Sequence, residues 1–341
     1  MGELINRKIL LIKRPEKEPD ATHFKMVEAP VPDLKDEEIL IQSLYLSVDP
    51  GMREMMKDQK SYTPPFQLNE VLTGRSIGRV IQSKNLNFVP GDIVYERLGW
   101  QDYSISDGKH TEKIDPNIAP ISTYLGVLGV PGLCAYFGLV EIGKPQSGET
   151  VVVSGAAGAV GMIAGQIAKL LGCRVVGIAG SDHKNQYLIN ELGFDVAINY
   201  KTTTDIRADL QEACPNGVDV YFDNVGGDIT DVVLNLINYH ARIVLCGQIS
   251  QYNLENPEVG PRNLNLLIKN SAMMKGFVVY DYADKNEEAI SELACWIRTG
   301  QLKYKENMIK GLENAPQAFA NLFQSKSFGK QLIKVSEYHE E

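Results

Sequence analysis

The sequence lacks paired cysteines, a concentrated run of positive charge and a long apolar segment. Its five cysteines form no Cys-x-x-Cys pair, so we expect buried free thiols in a reducing compartment, with neither disulfides nor a structural zinc cluster. The formal charge is -9 and the basic residues are scattered, which disfavours nucleic acid and anionic membranes as partners. The apolar run at residues 9–12 is short and precedes Lys13 and Arg14. We therefore expect neither a signal peptide nor a membrane span, and a cytoplasmic location.

The chain contains enough apolar residues to form the hydrophobic cores of two domains. The chain has 341 residues, of which 44% are apolar, and this length is typical of two domains rather than one. Up to about residue 120, short alternating runs interrupted by prolines predict a small β domain. From about residue 126, strand patterns alternate with amphipathic helix patterns, which is typical of a parallel sheet with helices on both faces.

Six candidate strands follow one another in the second part of the chain, at residues 151–154, 174–179, 196–199, 218–223, 242–246 and 274–279. A further strand pattern at residues 331–335 is not needed by that sheet, so we expect it to return to the first domain. The sequence therefore predicts an α/β protein with a β domain formed by residues 1–125 and 304–341. Residues 126–303 are predicted to form a doubly wound parallel sheet domain.

The most informative motif is a small-residue turn between a strand pattern and a helix pattern, at residues 151–161. Residues 151–153 predict a buried strand, residues 155–158 allow a tight turn, and Gly161 allows the next helix to pack against the sheet. The first backbone N–H groups of such a helix have no acceptor within it and lie at the positive end of its dipole. They can hold a diphosphate without a lysine in the turn. The motif therefore predicts a dinucleotide site.

The end of the second strand pattern indicates which dinucleotide binds. In an NAD site an acidic residue stands there and binds the ribose hydroxyls, whereas this strand ends in small uncharged residues. That leaves room for a 2′-phosphate, which Lys184 can neutralise with help from the hydroxyl groups of Ser181 and Tyr200. We therefore predict NADP(H) as the cofactor. The alternative is that Asp182 caps the next helix and Lys184 is a solvated residue of its first turn.

Several motifs together carry a resemblance to a known family. They include the glycine-rich turn, Gly-Ser-Asp-His-Lys at 180–184, Val-Asp-Val-Tyr-Phe-Asp-Asn-Val-Gly-Gly at 218–227 and Cys-Gly-Gln-Ile-Ser-Gln-Tyr-Asn at 246–253. In these motifs the chain resembles one branch of the zinc-independent medium-chain dehydrogenases/reductases. That branch contains prostaglandin reductases, alkenal double-bond reductases and curcumin-reductase-like enzymes. The resemblance implies a GroES-like β domain and a Rossmann domain. It also implies NADPH-dependent reduction of the carbon–carbon double bond of an α,β-unsaturated ketone or aldehyde.

The resemblance implies a set of cofactor contacts, most of which follow the ends of strand patterns, where open parallel sheets bind ligands. Asn224 is expected after the fourth strand, Gly247 after the fifth and residues 277–279 within the sixth. Asn224 can also serve only to stabilise its own turn. Ser327 stands where the family commonly has Asn, and a hydroxyl lacks one hydrogen-bonding arm of the amide. The predicted cofactor contacts are Gly158, Ala159, Val160, Gly161, Ser181, Lys184, Tyr200, Asn224, Cys246, Gly247, Ile249, Ser250, Tyr252, Phe277, Val278, Val279 and Ser327.

Tyr252 is the candidate catalytic residue. In the implied reaction, hydride reaches the β-carbon of the enone and negative charge gathers on its carbonyl oxygen. A tyrosine phenol is protonated at neutral pH and can donate a hydrogen bond to that oxygen. A ribose hydroxyl of the cofactor can share this role. The alternative is that Tyr252 only packs against the cofactor.

Trp100 is the candidate substrate contact in the first domain. With Tyr103 it lies in the alternating stretch 99–104 and can line an apolar wall, although a tryptophan in a β domain is also a common core residue. Gly51 stands where the family commonly has tyrosine. This departure removes a substrate contact and enlarges or exposes the pocket.

Zinc alcohol dehydrogenases share this architecture, so metal catalysis is a competing mechanism. A catalytic zinc needs about three Cys, His or acidic ligands that converge on one position. Residues 30–75 of the sequence contain neither Cys nor His, and residues 73–76 read Thr-Gly-Arg-Ser where the zinc enzymes have Gly-His-Glu. We therefore predict that no metal takes part.

Together the patterns predict an NADPH-dependent enone or enal reductase. An NADPH quinone reductase is the alternative within the same class of enzyme, and a non-catalytic NADP-binding redox sensor is the alternative outside it. The expected partner is a small-molecule enone or enal. The resemblance further implies a homodimer, formed through pairing of the last strand of the parallel sheet.

Overall fold

The computed structural model of the protein describes residues 4–338. Among these residues, no helix is both long and apolar enough to cross a lipid bilayer. The strands are β1 (Ile5–Leu11), β2 (Phe24–Pro30), β3 (Ile39–Ser47), β4 (Ser76–Ser83), β5 (Ile93–Glu96), β6 (Tyr103–Ser106), β7 (Glu112–Lys113), β8 (Thr150–Ser154), β9 (Arg174–Ala179), β10 (Val196–Asn199), β11 (Val218–Asp223), β12 (Ile237–Leu245), β13 (Met273–Gly276), β14 (Glu306–Lys310) and β15 (Lys330–Lys334). The α-helices are α1 (Met52–Met55), α2 (Val130–Phe137), α3 (Ala159–Leu170), α4 (Asp182–Asn190), α5 (Ile206–Ala213), α6 (Gly227–Leu234), α7 (Asn265–Lys269), α8 (Asn286–Arg298) and α9 (Ala315–Phe323).

The described chain divides into two compact units. The first contains residues 4–125, 306–327 and 331–338, and the second contains residues 126–305 and 328–330. The predicted domain ranges differ from these units at residues 304–305 and 328–330, and they stay a prediction. The ends of the predicted first domain, residues 1–3 and 339–341, lie outside the described residues.

The first unit is built on a seven-stranded sheet and a two-stranded one. The larger sheet has the order β14-β15-β3-β4-β5-β7, with β6 also paired to β3, while β1 and β2 form the smaller sheet. Because β15 pairs antiparallel with β3, the predicted return of the last strand to the first part of the chain is confirmed. One core of this unit gathers apolar side chains that include Ile9, Leu46, Trp100, Phe319 and Ile333.

The second unit is built on a sheet of six parallel strands in the order β10-β9-β8-β11-β12-β13. The chain runs outward from β8 to β10, returns to β11 beside β8, and then runs outward to β13 on the other side. Because crossover connections between parallel strands are right-handed, this reversal places helices on both faces of the sheet. The predicted α/β class, with a doubly wound parallel sheet and a second sheet domain, is confirmed.

Three predicted strands have the observed bounds, namely β9, β10 and β11. The fifth strand begins earlier than predicted, at Ile237, and the sixth ends earlier, at Gly276. The placement of Phe277, Val278 and Val279 within the sixth strand is therefore wrong. Pairing with β12 ends at Gly276, and Val279 begins a short 3-10 helix, Val279–Lys285. An apolar run does not reveal where the ladder of hydrogen bonds stops.

The five cysteines are free thiols with unequal exposure. The buried ones are Cys173 and Cys214, the half-buried ones are Cys134 and Cys246, and Cys295 is exposed. The prediction of buried thiols is therefore wrong for Cys295. It lies on α8, whose buried residues are Ala289 and Leu293, and a residue two positions from Leu293 points to the opposite side of a helix.

Candidate functional site

The turn between β8 and α3 presents backbone N–H groups at the start of a helix. Gly158 is the N-cap of α3, and none of the described side chains caps the helix there. Gly155 has a φ of +58°, in the left-handed region that favours glycine. A Cβ at Gly161 would lie 2.4 Å from the Gly155 carbonyl oxygen, so this close approach of α3 requires glycine. Ala159 and Val160 are half-buried, and their N–H groups have no acceptor within the helix.

Three predicted cofactor contacts lie together at the carboxyl end of β9. Ser181 is the N-cap of α4, and its Oγ accepts a hydrogen bond of 3.4 Å from the Lys184 backbone N–H. A Cβ at Gly180 would lie 3.2 Å from the Tyr200 hydroxyl oxygen, so that hydroxyl lies over the end of the strand. The structure thus brings Ser181, Lys184 and Tyr200 to one place, as the nucleotide prediction requires.

The alternative reading of this turn, with Asp182 as the helix cap, is wrong. Ser181 takes the cap position: its backbone is extended, its side chain accepts a hydrogen bond from the first turn, and Asp182 is already the first residue of the helix. The exposed Asp182 carboxylate instead accepts a hydrogen bond of 2.7 Å from Asn199 Nδ2. Lys184 is half-buried rather than solvated.

A second lysine, missed by the sequence analysis, lies beside Lys184. Burial lowers the pKa of Lys184, and the positive charge of Lys201 lowers it further. Lys201 Nζ lies 6.0 Å from the centre of the Tyr200 ring. An anion placed here would be attracted by both ammonium groups and would relieve their repulsion. This arrangement fits a phosphate group. In the sequence, the only indication that Lys201 belongs to this site is that it directly follows the predicted contact Tyr200.

Asp223 is a fully buried carboxylate at the carboxyl end of β11. Six donors converge on its two oxygens: the hydroxyl groups of Ser154 (2.8 Å), Tyr221 (2.9 Å) and Thr230 (2.7 Å), the backbone N–H groups of Val225 (2.9 Å) and Gly226 (3.0 Å), and the side-chain amide of Gln248 (3.1 Å). Burial and the neighbouring Asp223 charge raise the pKa of Tyr221, so that phenol stays a donor. Asp223 was not predicted from the sequence as a functional residue, although an acidic residue at the end of an apolar strand is a signal for one. This carboxylate holds together the turns that carry Asn224 and the loop after β12.

Asn224 ties the carboxyl end of β11 to that of β8. Its Nδ2 donates to the Ser154 carbonyl oxygen and its backbone N–H donates to Ser154 Oγ, both at 2.8 Å. The side chain therefore has a structural role in this turn. A hydrogen bond from Asn224 to the cofactor stays a prediction.

The loop after β12 runs along the turn that follows β11. Four of its backbone N–H groups donate to carbonyl oxygens of that turn: Cys246 to Asp223 (2.8 Å), Gly247 to Asp223 (3.1 Å), Ile249 to Asn224 (3.3 Å) and Ser250 to Val225 (3.0 Å). The predicted contacts of this loop are thereby brought next to Asn224. All of them lie at the carboxyl edge of the parallel sheet, where such folds bind ligands.

Tyr252 folds back onto this loop. Its hydroxyl oxygen accepts a hydrogen bond of 3.2 Å from the Gln248 backbone N–H, and a Cβ at Gly247 would lie 3.4 Å from the same oxygen. The contact with Gln248 uses an acceptor position of the phenol rather than its hydrogen. It also stabilises negative charge that builds on the phenol oxygen when the hydroxyl donates elsewhere. The geometry is therefore compatible with Tyr252 as a hydrogen-bond donor.

The remaining predicted contacts follow β13 or precede β15. Phe277 and Val278 are half-buried and come directly after β13, while Val279 is buried at the start of its 3-10 helix. They stay at the carboxyl edge of the sheet, since β13 is parallel to β12. Ser327 is half-buried and belongs to the first unit. It directly precedes residues 328–330, which belong to the second unit.

Trp100 lies in the core of the first unit. Its exposure is 0%, and the centre of its ring is 6.0 Å from that of Phe24 and 6.1 Å from that of Phe319. A side chain without exposed surface has nothing to present to a substrate. The placement is that of a core residue rather than of a substrate contact.

The same unit contains Gly51, the position where the family commonly has tyrosine. Gly51 is half-buried at the start of α1, and a Cβ there would lie 4.0 Å from the Tyr62 hydroxyl oxygen. A phenol from elsewhere in the chain thus lies near this glycine. Across residues 4–338, no three His, Cys, Asp or Glu residues lie together as a group that could hold a metal ion.

Comparisons with known proteins cover nearly the whole chain. A family model described as N-terminal domain of oxidoreductase matches residues 7–114, and one described as zinc-binding dehydrogenase matches residues 159–295. The putative NADP-dependent oxidoreductase YfmJ of Bacillus subtilis is 53% identical over 97% of this chain and 98% of its own length. The NADPH-dependent curcumin reductase of Escherichia coli is 41% identical over 97% of each chain. The crystal structure of CurA from Vibrio vulnificus in complex with NADPH is 41% identical, with a TM-score of 0.93 over 97% of this chain and 100% of that one.

Proposed function

Because the chain belongs to the medium-chain dehydrogenase/reductase family that includes curcumin reductase, prostaglandin reductase and 2-alkenal reductase, we propose that it reduces the carbon–carbon double bond of α,β-unsaturated ketones and aldehydes. It is an NADP-dependent oxidoreductase. The observation that carries the proposed reaction is the position of Tyr252, whose hydroxyl is held by Gln248 in the loop after β12. That loop is hydrogen-bonded to the turn after β11, and Asn224 of this turn donates a hydrogen bond to Ser154, the last residue of β8 before the glycine-rich turn.

The residues of the second unit fit this nucleotide. The start of α3, where none of the described side chains forms a cap, suits the diphosphate, since helix N-termini bind anions through backbone N–H groups. Lys184 and Lys201, with the hydroxyl groups of Ser181 and Tyr200, suit the 2′-phosphate. Bound at this edge of the sheet, NADPH would supply the hydride.

The proposed role of Tyr252 is to stabilise charge in the transition state. As the β-carbon accepts hydride, the carbonyl oxygen of the substrate becomes an enolate oxygen. The Tyr252 hydroxyl donates a hydrogen bond to that oxygen, and this bond is stronger in the transition state than with the neutral ketone. Water then protonates the α-carbon. The hydrogen bond from the Gln248 N–H holds the phenol in position, so that the phenol does not have to move as the transition state forms.

The experiment that tests the function is a screen of NADPH consumption against enals, enones, prostanoid-like ketones and quinones, with the products identified by mass spectrometry. We expect turnover of enones or enals to the saturated carbonyl compound. Turnover of quinones alone would replace the proposal with a quinone reductase. NADPH binding without oxidation of any compound would replace it with a redox sensor.

The role of Tyr252 is tested separately by Tyr252→Phe. We expect kcat to fall by about 10- to 1000-fold, the range for losing an oxyanion donor, with little change in NADPH affinity. Tyr239→Phe is the matched control, because Tyr239 is 66% exposed on β12. Unchanged turnover in Tyr252→Phe would remove Tyr252 from the mechanism and leave the reaction itself standing.

We also propose that the protein forms a homodimer through β13. Among the described strands, β13 is the last of its sheet and pairs only with β12. Met273 is 41% exposed on it, and an open strand edge is a template for pairing with a second chain. Light scattering coupled to gel filtration measures the mass of the protein in solution and so distinguishes a dimer from a monomer. A Met273→Pro variant, which blocks strand pairing, is expected to yield monomers.

The proposed compartment is the cytoplasm. The five cysteines are free thiols, and free thiols are typical of reducing compartments. Fractionation of cells that produce the tagged protein tests this location.

A further inference from the structure

Phe328 is held by three side chains of the second unit. Its ring meets the rings of His183 and Tyr187 edge to face, with centres 5.5 and 5.1 Å apart. Lys305 Nζ lies 4.8 Å from the centre of the Phe328 ring and 5.3 Å from that of Tyr187. Edge-to-face pairs and cation–π contacts are both attractive. Because His183 and Tyr187 are one turn apart on α4, Phe328 is fastened to one face of that helix.

The segment Phe328–Lys330, here called the strap, lies against the glycine-rich turn. The Gly329 N–H donates a hydrogen bond of 3.0 Å to the Ala157 carbonyl oxygen, and Gly329 pairs with Gly158 in a parallel bridge. Gly329 has a φ of +77°, and a Cβ there would lie 2.2 Å from the Lys305 carbonyl oxygen. The strap can therefore approach the turn this closely only with glycine at position 329. Its other end is fixed by a bond of 2.8 Å from the Lys330 N–H to the same Lys305 oxygen.

The strap thus connects two parts of the cofactor site. One side touches the turn that is suited to the diphosphate, and the other side holds α4, which carries Lys184 in its first turn. We infer that Phe328 is a positioning residue for NADP(H), which sets the spacing between the backbone N–H groups of α3 and the ammonium group of Lys184. The inference rests on the proposed cofactor site and extends it to a residue that need not touch the nucleotide.

The test compares Phe328→Leu, which keeps apolar volume and removes the ring, with Phe328→Tyr, which keeps the ring. Dissociation constants of NADPH and NADH are measured by fluorescence titration. We expect Phe328→Leu to raise the Kd of NADPH about 10-fold, as the ring contacts are lost, and that of NADH less, since NADH has no 2′-phosphate. Phe328→Tyr restores the affinity of the original protein. At saturating NADPH, kcat changes less than Kd does.

A second readout needs no nucleotide. Hydrogen exchange of the peptides that cover residues 155–161 and 328–330 is measured in the protein alone. We expect faster exchange in Phe328→Leu than in the original protein, because the bond from Gly329 to Ala157 loses its support. Phe328→Tyr exchanges at the original rate.

The matched control is Phe88→Leu in the first unit. Phe88 is buried, and its ring lies 5.4 Å from Lys113 Nζ, so the substitution removes a comparable contact far along the chain. We expect no change in NADPH affinity. Equal loss of affinity in Phe88→Leu, or unchanged affinity in Phe328→Leu, would overturn the inference.

Two further variants keep the test decisive if Phe328→Leu does not fold. Lys305→Met removes the cation–π contact with the Phe328 ring, and Tyr187→Leu removes one of its edge-to-face contacts. Both variants are expected to raise the Kd of NADPH, as Phe328→Leu does. Unchanged affinity in both would overturn the inference. If the original protein itself fails to bind NADPH, the proposed cofactor site fails along with the inference. If it binds NADPH and only the variants disagree, the inference alone fails.

Discussion

Gln248 connects the buried Asp223 carboxylate to the hydroxyl group of Tyr252. Its side-chain amide donates to Asp223 at 3.1 Å, and its backbone N–H donates to the Tyr252 oxygen at 3.2 Å. A Cβ at Gly226 would lie 2.1 Å from Gln248 Oε1, so the side chain is closely packed against that turn. The candidate catalytic phenol is thus linked to the buried Asp223 carboxylate through Gln248.

Gln248→Met removes the bond to Asp223 and preserves the length of the side chain. We expect kcat to fall because the loop that positions Tyr252 loosens, with little change in the Kd of NADPH. In a double-mutant cycle with Tyr252→Phe, the coupling should be about 0.5–3 kcal/mol, as for residues in one network. The measurement is kcat of the four proteins. If Gln248→Met lowers kcat as strongly in the Tyr252→Phe background as in the original protein, then Gln248 does not act through the phenol.

Lys184→Ala should reduce the preference for NADPH over NADH. A charged hydrogen bond contributes about 1.5–3 kcal/mol, so we expect the ratio of the two dissociation constants to fall by about 10- to 100-fold. Titration of both nucleotides gives this ratio. Lys269→Ala, a variant of the last residue of α7, is the control. An unchanged ratio in Lys184→Ala would mean that another group binds the 2′-phosphate.

The affinity for NADPH should also depend on pH. Burial and the charge of Lys201 lower the pKa of Lys184, and binding a phosphate requires the protonated amine. Affinity is therefore present below that lowered pKa and is lost as the pH rises through it. It also falls below about pH 6, where a phosphate group takes up its second proton. Lys184→Arg, whose guanidinium stays charged, should keep its affinity to higher pH, which a pH series of Kd values checks.

Trp100 should matter for stability and not for substrate binding. It is fully buried, and among the described residues its Nε1 has no hydrogen-bond partner. Trp100→Ala should lower the free energy of unfolding by about 3–5 kcal/mol, as for large buried aromatics. Trp100→Phe should lower it much less, since it also removes the unpaired N–H. Denaturant unfolding measures the stability of both variants, and steady-state kinetics measure their KM for an enone. A higher KM in a stable Trp100→Phe protein would restore Trp100 as a substrate contact.

The thiols should differ in reactivity. Burial raises the pKa of Cys173 and of Cys214 to about 11, and the thiolate is the reactive form. We expect iodoacetamide at pH 8 to label the exposed Cys295 first and to leave Cys173 and Cys214 unlabelled in the folded protein. Peptide mass spectrometry with time gives the order. Labelling of Cys173 or Cys214 at the rate of Cys295 would contradict the observed burial.

Local patterns predicted much of the second unit. The strands β9, β10 and β11 have the predicted bounds, because each is a short apolar run that ends at a small or polar residue. The glycine-rich turn was equally visible, since its conformation depends on neighbours within the same segment. The start of β12 was harder to predict from the sequence, because its pairing with β11 shifts register between Val218 and Val220.

By itself, the sequence determined the α/β class, the order of strands and helices in the second unit, and the strand, turn and helix suited to a diphosphate. These features depend on residues close along the chain, where side-chain size and backbone freedom act directly. Only the tertiary structure decided which side chains meet. Ser154 and Asp223 are 69 positions apart, and Phe328 meets a helix more than a hundred positions earlier in the chain. Such contacts form only when the strands pair and the helices pack, because neither the direction of a side chain nor the distance to its partner is set by the local pattern.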